Sequence, residues 1–192
     1  IDTNGEVTTY AGSGANGNTD GAAASARFGG PEGIAFDNQG NLIVVDRNYH
    51  RIRRVFDDNG TLSVETIAGS SAGDSVGPAL SSQFRNPRDI AITNDGKIYI
   101  TDTANHKIKV LNTDNTVDEI SGNAIGYADG AAADAYYYEP SGITLKDQNN
   151  LLIADYRNNA IRELDLATAY SSPEVETIAG RNSAGNTDGA FG

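Results

Sequence analysis

The two histidines of this 192-residue chain, His50 and His106, are its strongest candidates for binding a transition metal. A protein zinc site takes three or four ligands from histidine, cysteine and carboxylate side chains. The chain has no cysteine, no third histidine, and no glutamate next to either histidine in sequence. We therefore interpret both histidines as turn residues with polar contacts, and we expect neither a metal site nor another cofactor.

Three aspartates, Asp46, Asp102 and Asp155, each end a short apolar run and are the next candidates for chemistry. Aspartates in turns commonly accept hydrogen bonds from nearby backbone N–H groups. One such aspartate per run offers no cluster of ligands, and no Ser-His-Asp or Cys-His arrangement can be identified. We therefore predict that these aspartates stabilise the turns that follow them, and that the chain is not an enzyme.

Basic residues are concentrated in one part of the chain, at Arg47, Arg51, Arg53, Arg54, Arg85 and Arg88. Arg53 and Arg54 are neighbours on a predicted strand, so their side chains point to opposite faces and the cluster is divided. The formal net charge of −12 also disfavours contact with a phosphate backbone. Salt pairing with acidic residues is the simpler interpretation of these arginines.

The run Tyr136-Tyr137-Tyr138 is the most unusual local feature. Tyr137 aligns with Phe28 of an earlier segment and is predicted to pack in the interior, whereas Tyr136 and Tyr138 are predicted to be exposed. Exposed aromatic rings suit contacts with sugars or proteins. The complete set of candidate binding residues is Arg47, His50, Arg88, His106, Tyr136, Tyr138, Tyr156 and Arg157.

The histidines and the strand-end aspartates recur because the chain is built from repeats. Runs that end in Ala-Gly or Ser-Gly return at intervals of about 55 residues, beginning at Val7, Val64, Val117 and Val175. The first complete unit contains four strand-like runs, at 33–36, 42–45, 51–55 and 64–68, separated by turn residues. Four short antiparallel strands joined by tight turns are typical of a propeller blade, which packs between neighbouring blades to cover its two apolar faces.

The predicted fold is therefore all-β: a propeller of four-stranded antiparallel blades, with about three and a half blades present and the ring incomplete. Complete blades are expected at about 28–69, 84–122 and 137–180, after the outer strand of a preceding blade at 1–12 and before the start of a further loop at 181–192. The second strand of each unit should be the most buried, because it lies between two strands and two neighbouring blades. The Ala-rich segments 22–26 and 131–135 are expected to hold at most one helical turn.

The long loop before each unit has its own signature. Gly21, Phe28 and Pro31 of the first loop recur at the same offsets as Gly77, Phe84 and Pro87, and as Gly130, Tyr137 and Pro140. We predict that the aromatic residue packs between adjacent blades. The proline should begin the innermost strand, at a position that needs no N–H donor.

These motifs resemble the NHL-repeat family of β-propellers. The segments that carry the resemblance are Pro31-Glu32-Gly33-Ile34-Ala35 and Asp102-Thr103-Ala104-Asn105-His106-Lys107-Ile108. The resemblance implies a propeller that commonly closes with six blades, so further blades or copies of this chain are expected to complete a ring or continue as a fibre. It also implies two alternative functions: a lyase or lactonase with a metal at the ring mouth, and an RNA-binding module.

The function we expect is non-catalytic: an extracellular or cell-surface scaffold or binding module of a bacterium. A composition rich in Gly, Asn and Asp with few Lys favours this location, and no apolar run is long enough to span a bilayer. A protein or carbohydrate ligand is expected, without nucleic acid or membrane insertion. The candidate glycosylation sites are Asn59, Ser75 and Thr103.

Overall fold

The computed structural model describes residues 3–166, 173–180 and 185. These residues form three five-stranded antiparallel sheets, which follow one another along the chain as blades 1, 2 and 3, and one two-stranded parallel pair. No sheet closes on itself within the described residues. The predicted all-β propeller fold with an incomplete ring is therefore confirmed. The described part of the chain holds no helix with the length and apolar character needed to cross a bilayer.

Each blade has an inner strand, two middle strands, an outer strand and a short fifth strand from the preceding loop. Blade 1 consists of β1 (Gly21–Ala22), β2 (Pro31–Phe36), β3 (Leu42–Asp46), β4 (Arg51–Asp58) and β5 (Thr61–Ala68). Blade 2 consists of β6 (Gly77–Pro78), β7 (Ile90–Ile92), β8 (Ile98–Asp102), β9 (Lys107–Leu111) and β10 (Thr116–Ser121).

The loop that leads to blade 3 contains β11 (Ala124–Ile125), β12 (Gly130–Ala131) and β13 (Tyr136–Tyr137), of which β11 and β13 pair in parallel. Blade 3 consists of β12 together with β14 (Pro140–Leu145), β15 (Asn150–Asp155), β16 (Ala160–Asp165) and β17 (Glu174–Gly180). Four 3-10 turns complete the regular structure, at Arg47–Tyr49, Ala79–Ser81, Thr103–Asn105 and Tyr156–Asn158.

The fifth strand of each blade is a feature that the sequence analysis did not predict. These two-residue strands begin with the recurring glycines Gly21, Gly77 and Gly130, whose φ angles are 119°, 115° and 118°. Residues with a side chain rarely adopt such angles, which explains why glycine recurs at this position. Each short strand pairs with the outer strand of its blade and covers part of an edge that would otherwise have unpaired backbone groups.

Two local turn predictions are confirmed. Asn59 and Gly60, which connect β4 to β5, both have positive φ angles of 53° and 87°, as a tight hairpin turn requires. In the Ala-rich segments, Ala26 N–H donates to the Ala22 carbonyl at 2.9 Å and Ala135 N–H donates to the Ala131 carbonyl at 2.9 Å. Each segment therefore contains a single helical turn.

The interface between blades 1 and 2 is an aliphatic core. Ile43 and Val45 of β3 lie in one cluster with Ile98 and Ile100 of β8, and all four side chains are buried. Alternate residues of a strand point to opposite faces, so one strand can contribute to the interfaces on both sides of its blade. The prediction that the second strand is the most buried is confirmed for β3, apart from the half-buried Leu42 at its beginning.

The interface between blades 2 and 3 is formed by the opposite face of β8. Tyr99 packs in one cluster with Leu151 and Ile153 of β15. Both β15 residues are fully buried, whereas Leu152 and Ala154, on the other face of the same strand, are half-buried. No described blade covers that second face of blade 3, so complete burial is limited to one face of this strand.

Blade 1 also has an open face. Ile34 and Phe36 of the inner strand are 61% and 66% exposed, although the equivalent Ile90 of blade 2 is only 4% exposed because blade 1 covers it. The outer strand of a preceding blade was predicted at 1–12. Among the described residues of that range, 3–12, no strand is assigned, and residues 5–9 have no regular structure.

Candidate functional site

A buried ion pair occurs at the same position in all three blades. Each pair joins the aspartate that ends the second strand to a basic residue of the third strand: Asp46 to Arg53 at 3.2 Å, Asp102 to Lys109 at 2.8 Å, and Asp155 to Arg162 at 2.8 Å. All six side chains are fully buried. Charges are tolerated in such a position only when they are paired and hydrogen-bonded. The sequence analysis did not identify these pairs, because a basic residue between apolar neighbours has the same pattern as an exposed one.

The buried aspartates also hold the loop that precedes their blade. One oxygen of each carboxylate accepts a backbone N–H from that loop: Gly29 to Asp46 at 2.8 Å, Arg85 to Asp102 at 2.6 Å, and Tyr138 to Asp155 at 2.8 Å. This corrects the prediction that the backbone donors belong to the following turn. Burial raises the pKa of all three carboxyl groups, and the hydrogen bonds and paired cations oppose that rise.

The basic residue of each ion pair also holds the loop that precedes its blade. Each binds a second, partly exposed aspartate: Arg53 binds Asp20 at 2.5 Å, Lys109 binds Asp74 at 2.9 Å, and Arg162 binds Asp129 at 2.6 Å. Each also lies over the recurring loop aromatic, with centroid distances of 5.0 Å to Phe28, 5.5 Å to Phe84 and 5.2 Å to Tyr137. The recurring charged and aromatic residues therefore hold the fold together.

The two histidines act as links between blades. His50 and His106 have left-handed backbone conformations, with φ angles of 58° and 60°. Nδ1 of His50 accepts the Asn86 N–H at 3.1 Å, and Nδ1 of His106 accepts the Glu139 N–H at 3.0 Å. A ring nitrogen that accepts a hydrogen bond carries no proton, so both side chains are neutral with the proton on Nε2. Burial lowers the pKa of both histidines, in agreement with this assignment.

The loop face of the blades, defined here as the face that carries the turns after the second strands and the loops between blades, has a charged cluster at the junction of blades 1 and 2. The Glu32 carboxylate lies between two arginines, with Oε1 3.2 Å from Nη1 of Arg47 and Oε2 3.7 Å from Nε of Arg88. The second distance is too long for a hydrogen bond. Nε of each arginine is buried without a hydrogen-bond partner in the described part of the chain.

A second cluster lies on the loop face at the junction of blades 2 and 3. The rings of His106 and Tyr138 meet edge to face, with centroids 5.7 Å apart. Nε of Arg157 donates to the Glu139 carboxylate at 3.0 Å, and its guanidinium lies 5.4 Å from the Tyr156 ring. The structure thus gathers one exposed ion pair and two exposed tyrosines around a half-buried histidine.

Comparison with known proteins identifies the repeat. The sequence profile of the NHL repeat matches residues 28–55 and 84–111, which contain the inner and middle strands of blades 1 and 2. The chain therefore contains NHL repeats. It is 34% identical over 108 residues to the chloroplastic protein SUPPRESSOR OF QUENCHING 1 of Arabidopsis thaliana, which covers 55% of this chain and 10% of that protein. It is 36% identical over 99 residues to NHL repeat-containing protein 2 of Bos taurus, which covers 50% of this chain and 13% of that protein.

Solved structures show the same fold in proteins with different activities. An auxiliary nutrient binding protein from Bacteroides thetaiotaomicron aligns with a TM-score of 0.62 and 20% identity, covering 75% of this chain and 36% of that one. A catalytically inactive variant of virginiamycin B lyase from Staphylococcus aureus aligns with a TM-score of 0.52 and 19% identity, covering 79% and 42%. At this identity the likeness shows the fold alone, and the fold includes both enzymes and binding proteins.

The NHL blades bring most of the predicted binding residues into two groups. Arg47 and Arg88 meet around Glu32, and four further members of the set meet at the second junction: His106, Tyr138, Tyr156 and Arg157. His50 lies at the first junction, where it binds the Asn86 N–H, and Tyr136 is exposed on β13. The sequence analysis missed Glu32 and Glu139 as members of these groups. For Glu32 the available signal was that Arg88 stands at the equivalent position of the next repeat.

The arginine concentration is divided as predicted. Arg53 is fully buried in its ion pair, whereas Arg54 is on the opposite face of β4 and pairs with Glu65 at the surface. In the described part of the chain, no group of three or more His, Asp and Glu side chains is placed to hold a metal ion.

One glycosylation candidate must be withdrawn. Thr103 is only 3% exposed, and its hydroxyl donates to the Pro140 carbonyl at 2.7 Å, so no glycan can be attached there without opening the junction of blades 2 and 3. Asn59 and Ser75 are exposed and keep an accessible side chain.

Proposed function

We propose that this NHL-repeat chain is a non-catalytic binding and scaffold segment, exposed outside a bacterial cell or on its surface. The supporting observation is that the groups best suited to catalysis are held in structural hydrogen bonds. Nδ1 of both histidines accepts a backbone N–H from the next blade, and the three strand-end aspartates are buried in ion pairs. The other residues of the loop face are therefore the ones available to contact a ligand.

The internal repeat supports a binding role for that face. The position of Glu32 is occupied by Arg88 in blade 2 and by Ser141 in blade 3, and the position of Arg47 is occupied by Thr103 and Tyr156. The repeat therefore does not fix the side chain at these two positions. Positions that vary between similar blades are where a scaffold can place ligand contacts.

The two alternative functions have less support. A metal-dependent lyase or lactonase would need a ligand set at the ring mouth, and the histidines available to it are already engaged through Nδ1. An RNA-binding module would need a continuous basic groove. This chain has a net charge of −12, and several of its arginines are either buried or paired with a glutamate, namely Glu32, Glu65 or Glu139.

The scaffold role includes assembly. Ile34 and Phe36 on blade 1, and Leu152 and Ile161 on blade 3, lie on open faces at positions equivalent to residues that other blades cover. Because the covered and open faces have the same strand pattern, we propose that further NHL blades, from a longer chain or from copies of this chain, pack on them.

Turnover assays test the non-catalytic part of the proposal. The chain is incubated with lactones and cyclic depsipeptides, with and without Zn²⁺, Mg²⁺ or Ca²⁺, beside a variant carrying His50→Asn and His106→Asn. Asparagine is the matched choice because Asn159 occupies the equivalent left-handed position in blade 3. We expect no turnover by either protein. Metal-dependent turnover that is lost in the variant would replace the binding proposal with the enzymatic one.

Sedimentation velocity tests the assembly part. We expect concentration-dependent association of the chain, reduced by Phe36→Glu on the open face and unaffected by Leu80→Glu, which changes an equally exposed residue in the blade 2 loop. A compact monomer at all concentrations would show that copies of this chain do not cover the open faces.

A further inference from the structure

We propose that the junction of blades 1 and 2 binds a carboxylate-bearing ligand through the guanidinium groups of Arg47 and Arg88. This inference rests on the binding function proposed above and gives the chemistry of the ligand. The two arginines come from different blades, since Arg47 follows the second strand of blade 1 and Arg88 precedes the inner strand of blade 2. The site is therefore created by the packing of one repeat on the next.

The first supporting observation is that the arginines have unused donors. A guanidinium group carries five N–H donors in a planar fork. The nearest contact of Arg47 with Glu32 is through Nη1 at 3.2 Å, Arg88 approaches Glu32 no closer than 3.7 Å, and Nε of both arginines has no hydrogen-bond partner in the described part of the chain. Both arginine side chains are about one-third exposed, at 33% and 30%, so their outer N–H groups can be reached from solvent.

The second observation is a local excess of positive charge in an acidic protein. Arg85 is exposed on the same loop as Arg88 and has no ion pair among the described residues. Against these three arginines stand two carboxylates: the exposed one of Glu32, and the half-buried one of Asp89, which accepts the Ile90 and Ile143 N–H groups. The nearby Asp46 and Asp102 are fully buried and already paired with Arg53 and Lys109. The junction therefore attracts anions, although the whole chain has a net charge of −12.

The geometry favours a carboxylate over a polyphosphate. Glu32 shows that a carboxylate can lie between the two guanidinium groups, and a planar guanidinium fork matches the two oxygens of a carboxylate. A long polyanion would also extend over the acidic remainder of the surface, whose repulsion it could not avoid. A small carboxylate occupies the junction alone.

The repeat provides variants that keep the fold. Thr103 of blade 2 is equivalent to Arg47, and Ser141 of blade 3 is equivalent to Arg88. Arg47→Thr and Arg88→Ser therefore place in one blade the residue that another blade already has at the equivalent position of the repeat. Arg54→Ser is the matched control, because Arg54 is a partly exposed arginine of blade 1 that pairs with Glu65 away from the junction.

The test is calorimetric titration of the full chain with malonate at low ionic strength, with malonamide as the uncharged probe of similar shape. We expect binding of malonate and none of malonamide. Arg47→Thr and Arg88→Ser should each weaken malonate binding by about tenfold, as the loss of a charge-assisted hydrogen bond predicts, while Arg54→Ser leaves it unchanged. Glu32→Ser should tighten binding because it removes the competing carboxylate.

Several results would overturn the proposal: no heat of malonate binding, equal binding of malonamide, or malonate binding that persists in both junction variants. Tighter binding of polyuridylate that is lost in the same variants would assign the site to phosphate instead. Each of these results leaves the non-catalytic function standing, because that function is tested by turnover and not by carboxylate binding. Thermal unfolding of each variant verifies that it is folded.

Discussion

The junction of blades 1 and 2 and the junction of blades 2 and 3 differ in what joins their inner strands. In the first, Gly33 N–H donates directly to the Arg88 carbonyl at 2.8 Å. In the second, the Asp89 carboxylate accepts the Ile143 N–H at 3.0 Å, and Thr101 binds both the Asp89 N–H and the Ser141 carbonyl. One junction is therefore closed by backbone groups, and the other by inserted side chains.

Asp89 occupies the position that Gly33 and Gly142 have in the other two blades. A glycine allows the inner strands to approach, and a Cβ at Gly33 would lie only 2.5 Å from the Asp89 carboxylate. The comparison teaches that similar blades do not form identical interfaces. The repeat fixes the strands, and single substitutions at the inner ends decide how one blade is attached to the next.

The largest expected effect concerns the buried ion pair that all three blades share. Asp155→Ala leaves Arg162 buried without its fully buried partner and should lower the free energy of unfolding by about 3–5 kcal/mol, measured by urea denaturation. Asp102→Ala should do the same through Lys109. Combining Asp155→Ala with Arg162→Met should recover most of the loss. If Asp155→Ala lowers the free energy of unfolding by no more than the surface change Arg54→Ala does, the buried pair is not needed for stability.

The next effect concerns the apolar part of the second junction. Ile153→Ala should cost about 2–5 kcal/mol, because the side chain is fully buried between blades 2 and 3 and its removal leaves a cavity. Leu152→Ala, one residue earlier on the open face of the same strand, should cost clearly less. If both variants lower the urea midpoint of unfolding equally, blade 3 is covered on both faces in solution.

The next prediction concerns Asp89, whose carboxylate joins the inner strands at the junction of blades 2 and 3. Asp89→Ala removes the acceptor of the Ile143 N–H and of the Ile90 N–H, and should lower stability by about 1–3 kcal/mol. Hydrogen exchange should locate the effect in β14 and not in β2, because β2 is joined to blade 2 through the backbone. Faster exchange in β2 as well would contradict the distinction between the junctions.

The smallest effect is a pH dependence that both junctions contribute to. Because burial lowers the pKa of His50 and His106 in the folded chain, the fold favours neutral histidine. Stability from these links is complete above the ordinary histidine pKa of about 6.5 and is lost as the pH falls below that value. The difference in melting temperature between pH 7 and pH 5 should be smaller in the variant with His50→Asn and His106→Asn. Carboxylates titrate in both proteins, so an unchanged difference would exclude the histidines as its source.

Much of the fold could be predicted from the sequence, because the signals are local. The recurring runs predicted the strands, Asn59-Gly60 predicted a tight hairpin, and the Ala-rich segments predicted single helical turns. The fifth strands were missed because a Gly-Ala or Gly-Pro pair has no periodicity to detect. No strand is assigned near the predicted one at Val7, where residues 5–9 have no regular structure.

The candidate site was predictable as a list of residues but not as an arrangement. Arg47, Arg88, His106 and Tyr138 were identified, yet Glu32 and Glu139 were not, because no acidic residue recurs at either position in the other repeats. Thr103 was misjudged because its hydroxyl is buried by Pro140 of the next blade.

By itself, the sequence determined the repeat, the all-β class, the strand-end aspartates and the acidic charge of this protein, since each follows from residue types at fixed spacing. Only the tertiary structure decided that Asp46, Asp102 and Asp155 are paired inside the blades and that the histidines link one blade to the next. It also decided that two arginines meet around one glutamate. The physical reason is that strand patterns depend on neighbours along the chain, whereas the pairing of buried and junction charges depends on how one blade is rotated onto the next.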